Sequence, residues 1–157
     1  MRRSILSMFF LFALTGCDGL GGDGDEGAFT CEDASLVSDG EATATTPDGA
    51  FDADCFDVTL ASETVTIRIY EVDLRSGEGI QRRILVRTDG VTPGTYTFED
   101  GTFSRTRADY NPRPDLTLEA TSGTVTITER SDERLRGTFL FDLENGAVTD
   151  GVFDVGI

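Results

Sequence analysis

The chain has 157 residues and sets 13 basic side chains against 29 acidic ones, a formal net charge of −16. Every basic residue is an arginine, and histidine and tryptophan are absent. The lack of histidine excludes Ser-His-Asp and Cys-His nucleophilic systems, histidine general bases and histidine-ligated zinc. The sheath of carboxylates repels nucleic-acid phosphates, so no nucleic-acid partner is expected.

Met1-Arg2-Arg3 is a positive start, followed by an apolar run from Ile5 to Leu14. This is the pattern of a secretory signal. Ten helical residues reach about 15 Å, half of a bilayer core, so the run is too short for a permanent span. Leu14-Thr15-Gly16-Cys17 resembles a bacterial lipobox, in which cleavage falls before the cysteine and its sulfur takes a diacylglycerol. Residues 1–16 are therefore expected to be a cleaved lipoprotein signal and Cys17 the lipid anchor. Removal of Arg2 and Arg3 leaves 11 arginines against 29 carboxylates, a net charge of −18. Residues 17–28 continue as an acidic, Gly-rich stretch, "CDGLGGDGDEGA", the composition of a flexible tether. Asp18 resembles an inner-membrane retention signal. The acidic tract resembles the surface-export signals of some Bacteroidota lipoproteins. The expected location is the cell envelope, outside the cytoplasm, at the outer membrane or cell surface, with the inner membrane as the alternative.

Residues 29–157 are enough for one domain. With Cys17 assigned to lipid, Cys31 and Cys55 form an even pair in an oxidising compartment, and a disulfide between them is expected. Residues 31–40 have room for one short helical turn. Downstream the hydrophobic signal has period two. Residues 64–72 (TVTIRIYEV), 83–88 (RILVRT), 94–99 (GTYTFE), 116–120 (LTLEA), 123–130 (GTVTITER), 135–143 (LRGTFLFDL) and 148–155 (VTDGVFDV) all alternate. Their Thr, Val, Ile and Phe suit a half-buried pleated surface. Turn chemistry separates them: Pro47-Asp48-Gly49, residues 75–79, Pro93-Gly94, Asp100-Gly101, residues 121–123 and Asn145-Gly146. Asp100-Gly101 predicts a hairpin between 94–99 and 102–110, and 121–123 predicts another between its flanking strands. Pro112 and Pro114 mark a loop or sheet edge. The expected fold is all-β, a single antiparallel β-sandwich or small barrel of about 8–10 strands.

The C-terminal third carries a longer pattern: Gly123 to Thr128, Gly137-Thr138-Phe139 with Phe141, and Thr149, Gly151 and Phe153. It resembles the end of a group of Bacteroidota lipoproteins of unknown function. "VTPGTYTF" and "TRADY" are similar to that group's middle section. The resemblance implies a β-sandwich on a lipid anchor and brings no catalytic residues with it. The residues themselves suggest packing: Phe139, Phe141 and Phe153 are spaced to fill one sheet face, and Gly137 and Gly151 to mark bulges or close approaches.

Asp48, Asp52, Asp54 and Asp57 cluster in sequence, but they do not fit an EF-hand loop, and no metal or cofactor is expected. Arg105 and Arg107, with Tyr110 close by, are the candidate ligand contacts, able to grip a carboxylate or a sugar acid. The excess acid resembles that of salt-adapted proteins, whose self-repulsion is screened at a Debye length of about 3 Å in 1 M salt. The alternative is a face for a basic partner or for calcium. The expected function is a non-catalytic binding or structural module, held to the membrane by its lipid and contacting an unknown protein or glycan. Two other readings are a carboxylate-dependent glycan hydrolase and an acidic inhibitor of a basic envelope enzyme.

Overall fold

The computed structural model describes residues 30–73, 79–100 and 104–157. The signal, Cys17, the tether and most of the 75–79 connection lie outside them. The described residues form ten antiparallel strands and one 3-10 turn, Glu32–Ala34. The strands are β1 (Gly40–Thr46), β2 (Gly49–Asp52), β3 (Cys55–Leu60), β4 (Val65–Asp73), β5 (Gly79–Thr88), β6 (Gly94–Glu99), β7 (Arg107–Arg113), β8 (Leu116–Arg130), β9 (Arg134–Leu143) and β10 (Gly146–Gly156). They make one sheet in the order β2-β1-β10-β9-β8-β7-β5-β4-β3, curled into a half-barrel, with β6 attached to β8.

β8 carries the change of partner between the two parts of the sheet. Residues 116–120 and 123–130 are not two strands joined by a hairpin but one strand of 15 residues. Its first residues pair with β7 (Tyr110 opposite Leu118) and its later ones with β6 (Tyr96 opposite Val125). A register shift against β9 falls between Ala120 and Ser122, where the partners change, the kind of irregularity that bends a strand. Among the described residues the pairing expected across Asp100-Gly101 is likewise absent. β6 hydrogen-bonds to β8, and the chain then crosses to β7, which lies between β5 and β8. The described Asp100 continues the β6–β8 ladder, its N–H donating to Thr121 O at 2.6 Å.

Alternation puts one face of each strand inside. Phe51, Phe56, Ile67, Ile84, Tyr110 and Phe141 are among the fully buried side chains of one continuous core. In the C-terminal strands the core is built from glycine opposite phenylalanine: Gly137 faces Phe153, Gly151 faces Phe139, and Gly123 faces Phe141. A Cβ on Gly151 would lie 2.4 Å from the Phe139 ring, and one on Gly123 would lie 2.6 Å from Phe141 Cβ. The missing side chain is the space the ring occupies. Phe139 stacks between Phe141 and Phe153, with ring centroids 6.2 and 6.4 Å away. Asp150, at φ +53, sits in the β10 bulge that brings Gly151 into register.

The N-terminal segment closes the seam between β3 and the β10 end. Val37 and Phe56 exchange backbone hydrogen bonds of 2.9 and 2.8 Å, and Gly156 N–H donates to Asp39 O at 2.8 Å. The disulfide Cys31–Cys55 fastens the start of this segment to β3, with Cα atoms 5.5 Å apart. Around it Tyr70 and Val72 form a second small core.

Candidate functional site

The residues singled out from sequence separate in the fold. Arg105 precedes β7, is exposed and pairs with Glu63 at 2.6 Å. Arg107 opens β7 with its side chain in solvent. Tyr110 points the other way, because residues three apart on a strand lie on opposite faces. It is fully buried. Its hydroxyl donates to the Asp48 carboxylate at 2.9 Å and accepts from Thr46 Oγ1 at 3.3 Å. Burial pushes the Tyr110 phenol up, assisted by Asp48 and opposed by Thr46 and Arg82. Tyr110 is therefore part of the interior and does not share a face with the arginines.

It belongs to a latch between the two halves of the sheet. Arg82 on β5 points inward, donates to both oxygens of Glu71, reaches Ala50 O at 2.5 Å, and lies 5.4 Å from the Phe51 ring centroid. The β1–β2 hairpin is thereby tied to β4 and β5. The four aspartates of residues 48–57 diverge. Asp48 bonds Tyr110, Asp54 accepts the Val72 N–H at 3.0 Å, Asp57 pairs with Arg68 at 2.7 Å, and Asp52 is exposed. Among the described residues no group of three metal-ligating side chains converges.

The outer face of β3, β4, β5 and β7 has a different character from the acidic remainder. Register lays its side chains in three rows. In the first, Tyr70 lies beside Arg83 and Asn111. In the second, Asp57, Arg68, Leu85 and Asp109 follow one another. In the third, Thr59, Thr66, Arg87 and Arg107 do so, without a carboxylate. Arg83 reaches Asn111 Oδ1 at 2.7 Å and Asp109 at 3.3 Å. Burial raises the Asp109 pKa against the pull of Arg83 and Arg107. Arg87 and Arg107 stand directly opposite each other, and neither forms an ion pair with a described residue. The Nε atoms of Arg83 and Arg87 are buried without a hydrogen-bond partner. Arg87 carried no signal within "RILVRT"; only the β5–β7 register brings it to Arg107.

Two hollows lie beside this face. One, of about 200 Å³, is lined by Arg82, Arg83, Arg113, Asn111, Gln81 and Tyr70, among others. The other, of about 500 Å³, lies at the seam, where Val37, Phe56, Val58 and Ile157 meet Asp39, Asp57, Glu133 and Arg134. Asp39 there is paired with Arg134 at 2.6 Å.

The fold and this face define a curled antiparallel β-module with an arginine-bearing outer surface. Comparison with protein-family models, curated proteins and solved structures finds no match.

Proposed function

We propose that the protein is a lipid-anchored module of the cell envelope that binds a ligand without catalysis. The observation that carries this reading is the Cys31–Cys55 disulfide. Disulfides persist in oxidising compartments, which supports an extracytoplasmic domain. With those two cysteines joined, Cys17 is the one left over, at the position where the lipobox-like run ends. A diacylglyceryl thioether at that sulfur brings two acyl chains, and two or more chains hold a protein stably to a membrane. The resemblance to Bacteroidota lipoproteins agrees with the same address.

Binding is favoured over hydrolysis by the seam hollow. A glycosidase needs two carboxylates facing each other across its cleft. Two of the three acids there, Asp39 and Asp57, are held by Arg134 and Arg68. The open outer faces of the sheet offer contact area instead.

Metabolic labelling with palmitate, with and without Cys17→Ser, tests the anchor. Label and membrane association should both disappear in the variant. Label that persists, or wild-type chain recovered from the cytosol with all thiols alkylatable, would refute the reading.

A further inference from the structure

We infer that the row Thr59-Thr66-Arg87-Arg107 on the outer face of β3, β4, β5 and β7 is a binding site for an acidic sugar polymer of the uronate type. The inference rests on the binding-module reading and supplies its ligand class.

Four observations carry it. First, like charges directly opposite each other on a sheet destabilise it, yet Arg87 and Arg107 occupy that position in a chain with 29 acidic residues that could have neutralised them. Second, neither arginine has an ion-pair partner among the described residues, while Arg68 and Arg83 on the same face do. Third, Arg87 Nε is buried without an acceptor, so nothing in the protein holds that guanidinium by its inner edge, and the Nη donors, which are not among the buried atoms, are the ones a ligand can reach. An incoming carboxylate would accept from the Nη donors of the two guanidinium groups, whose paired N–H bonds match its geometry. Fourth, the row continues into two hydroxyls, Thr66 and the exposed Thr59, at the strand spacing of about 4.8 Å.

Carboxylate acceptors beside hydroxyls are the chemistry of a sugar acid. An acidic peptide would present carboxylates without those hydroxyls. It would also meet a sheet face, which has no free backbone ladder for an added strand. Arg83, about 13 Å from Arg87 along β5, gives a longer polymer a further contact, at the edge of the 200 Å³ hollow. The chain's overall negative charge opposes any polyanion at long range. Salt near 1 M cuts that repulsion to a Debye length of about 3 Å and leaves contacts at hydrogen-bond distance least affected.

The test is titration calorimetry on the full chain in detergent at high salt, with oligogalacturonate, poly-glutamate, inorganic phosphate and neutral dextran as probes. Oligogalacturonate should bind. Arg87→Gln and Arg107→Gln should each weaken it about tenfold or more, and Arg107→Lys, which keeps the charge and loses the fork, should fall between. The unliganded Gln variants should melt at or above the wild-type temperature, because removing one guanidinium relieves the repulsion. A structural role would lower the melting temperature instead, and that result would overturn the proposal. So would no binding of oligogalacturonate, unchanged affinity in both variants, or equal affinity for poly-glutamate or phosphate. None of these outcomes bears on palmitate labelling at Cys17, so failure here and failure of the anchor reading are distinguishable.

Discussion

Gly137→Ala is expected to be among the most costly single-methyl changes in the domain. The backbone at Gly137 has an ordinary φ, so alanine meets no conformational objection there. Space is what is missing. A Cβ would lie 2.1 Å from Thr126 O and 2.5 Å from Phe153 Cζ, roughly 1 Å inside ordinary contact. The nearer atom is a carbonyl of the β8–β9 ladder, so the two strands must separate and a rotamer change of Phe153 cannot resolve the clash. Overpacking costs about 1–3 kcal/mol when side chains can shift, and a backbone obstacle puts this site at the upper end, about 3 kcal/mol. For a domain of this size that lowers the melting temperature by about 10 °C. Urea unfolding followed by circular dichroism reads the change, with Phe153→Leu as a second variant. If the ring were the obstacle, the double variant Gly137→Ala/Phe153→Leu would recover much of the loss. If the carbonyl is, it will not. A stability within about 0.5 kcal/mol of wild type for Gly137→Ala would refute the steric account. Gly49→Ala is the complementary control, with nothing within 4 Å of its Cβ and a φ of +107, where the penalty is conformational alone.

Three further outcomes follow from the interactions described. Removing the disulfide by Cys31→Ser/Cys55→Ser should cost about 3 kcal/mol for a sequence separation of 24, measured as a fall in urea midpoint; a reductant should have the same effect on the wild type and none on the variant. Arg82→Met should destabilise by about 2–3 kcal/mol, because it leaves the partly buried Glu71 carboxylate without its fork, and a cycle with Glu71→Gln should show coupling between the two. Burial works against the Asp154 carboxylate, but hydrogen bonds from Arg134 and Arg136 outweigh it and hold its pKa below the usual carboxylate range. Its stabilising contribution is therefore complete above the unfolded value near 4 and is lost as pH falls through the lower folded value. Side-chain NMR titration should find that depressed pKa, and Arg136→Gln should raise it.

Alternation made the strands and their inner faces readable, since period two needs no knowledge of partners. Residues 94–99 form β6 as expected, and the Asn145-Gly146 signal does separate β9 from β10. What alternation lacks is the identity of the neighbour. Gly123, after Thr121-Ser122, has the composition of a turn, yet the glycine lies inside β8. It leaves room for Phe141 opposite and for the Phe98 ring, whose Cε1 would sit 2.9 Å from a Cβ there. Asp100-Gly101 has the chemistry of a tight hairpin, but β6 pairs with β8 over Gly94–Glu99, and β7 already has β5 on one edge and β8 on the other. At Thr121-Ser122-Gly123 a local signal for bending yielded to the pairing of a whole strand, and after Glu99 the choice of partner was set by long-range pairing.

The candidate site divides along the same line. The parity of Arg107 and Tyr110 was present in the sequence, since an odd spacing on a straight strand separates their faces, and it assigns Tyr110 to the core beside Ala108's side. The pairing of Arg107 with Arg87 was not. It depends on β5 lying antiparallel to β7 with β6 set aside on β8, a topology that no residue between 88 and 107 announces. The Thr66 and Thr59 hydroxyls join the row only through two further registers, β4 with β5 and β3 with β4. A surface built one residue per strand has no sequence motif, because its members are separated by every turn of the chain. What sequence does carry is the background against which the row stands out: with acids more than twice as frequent as arginines, four adjacent positions without one define a place where a carboxylate from elsewhere can be received.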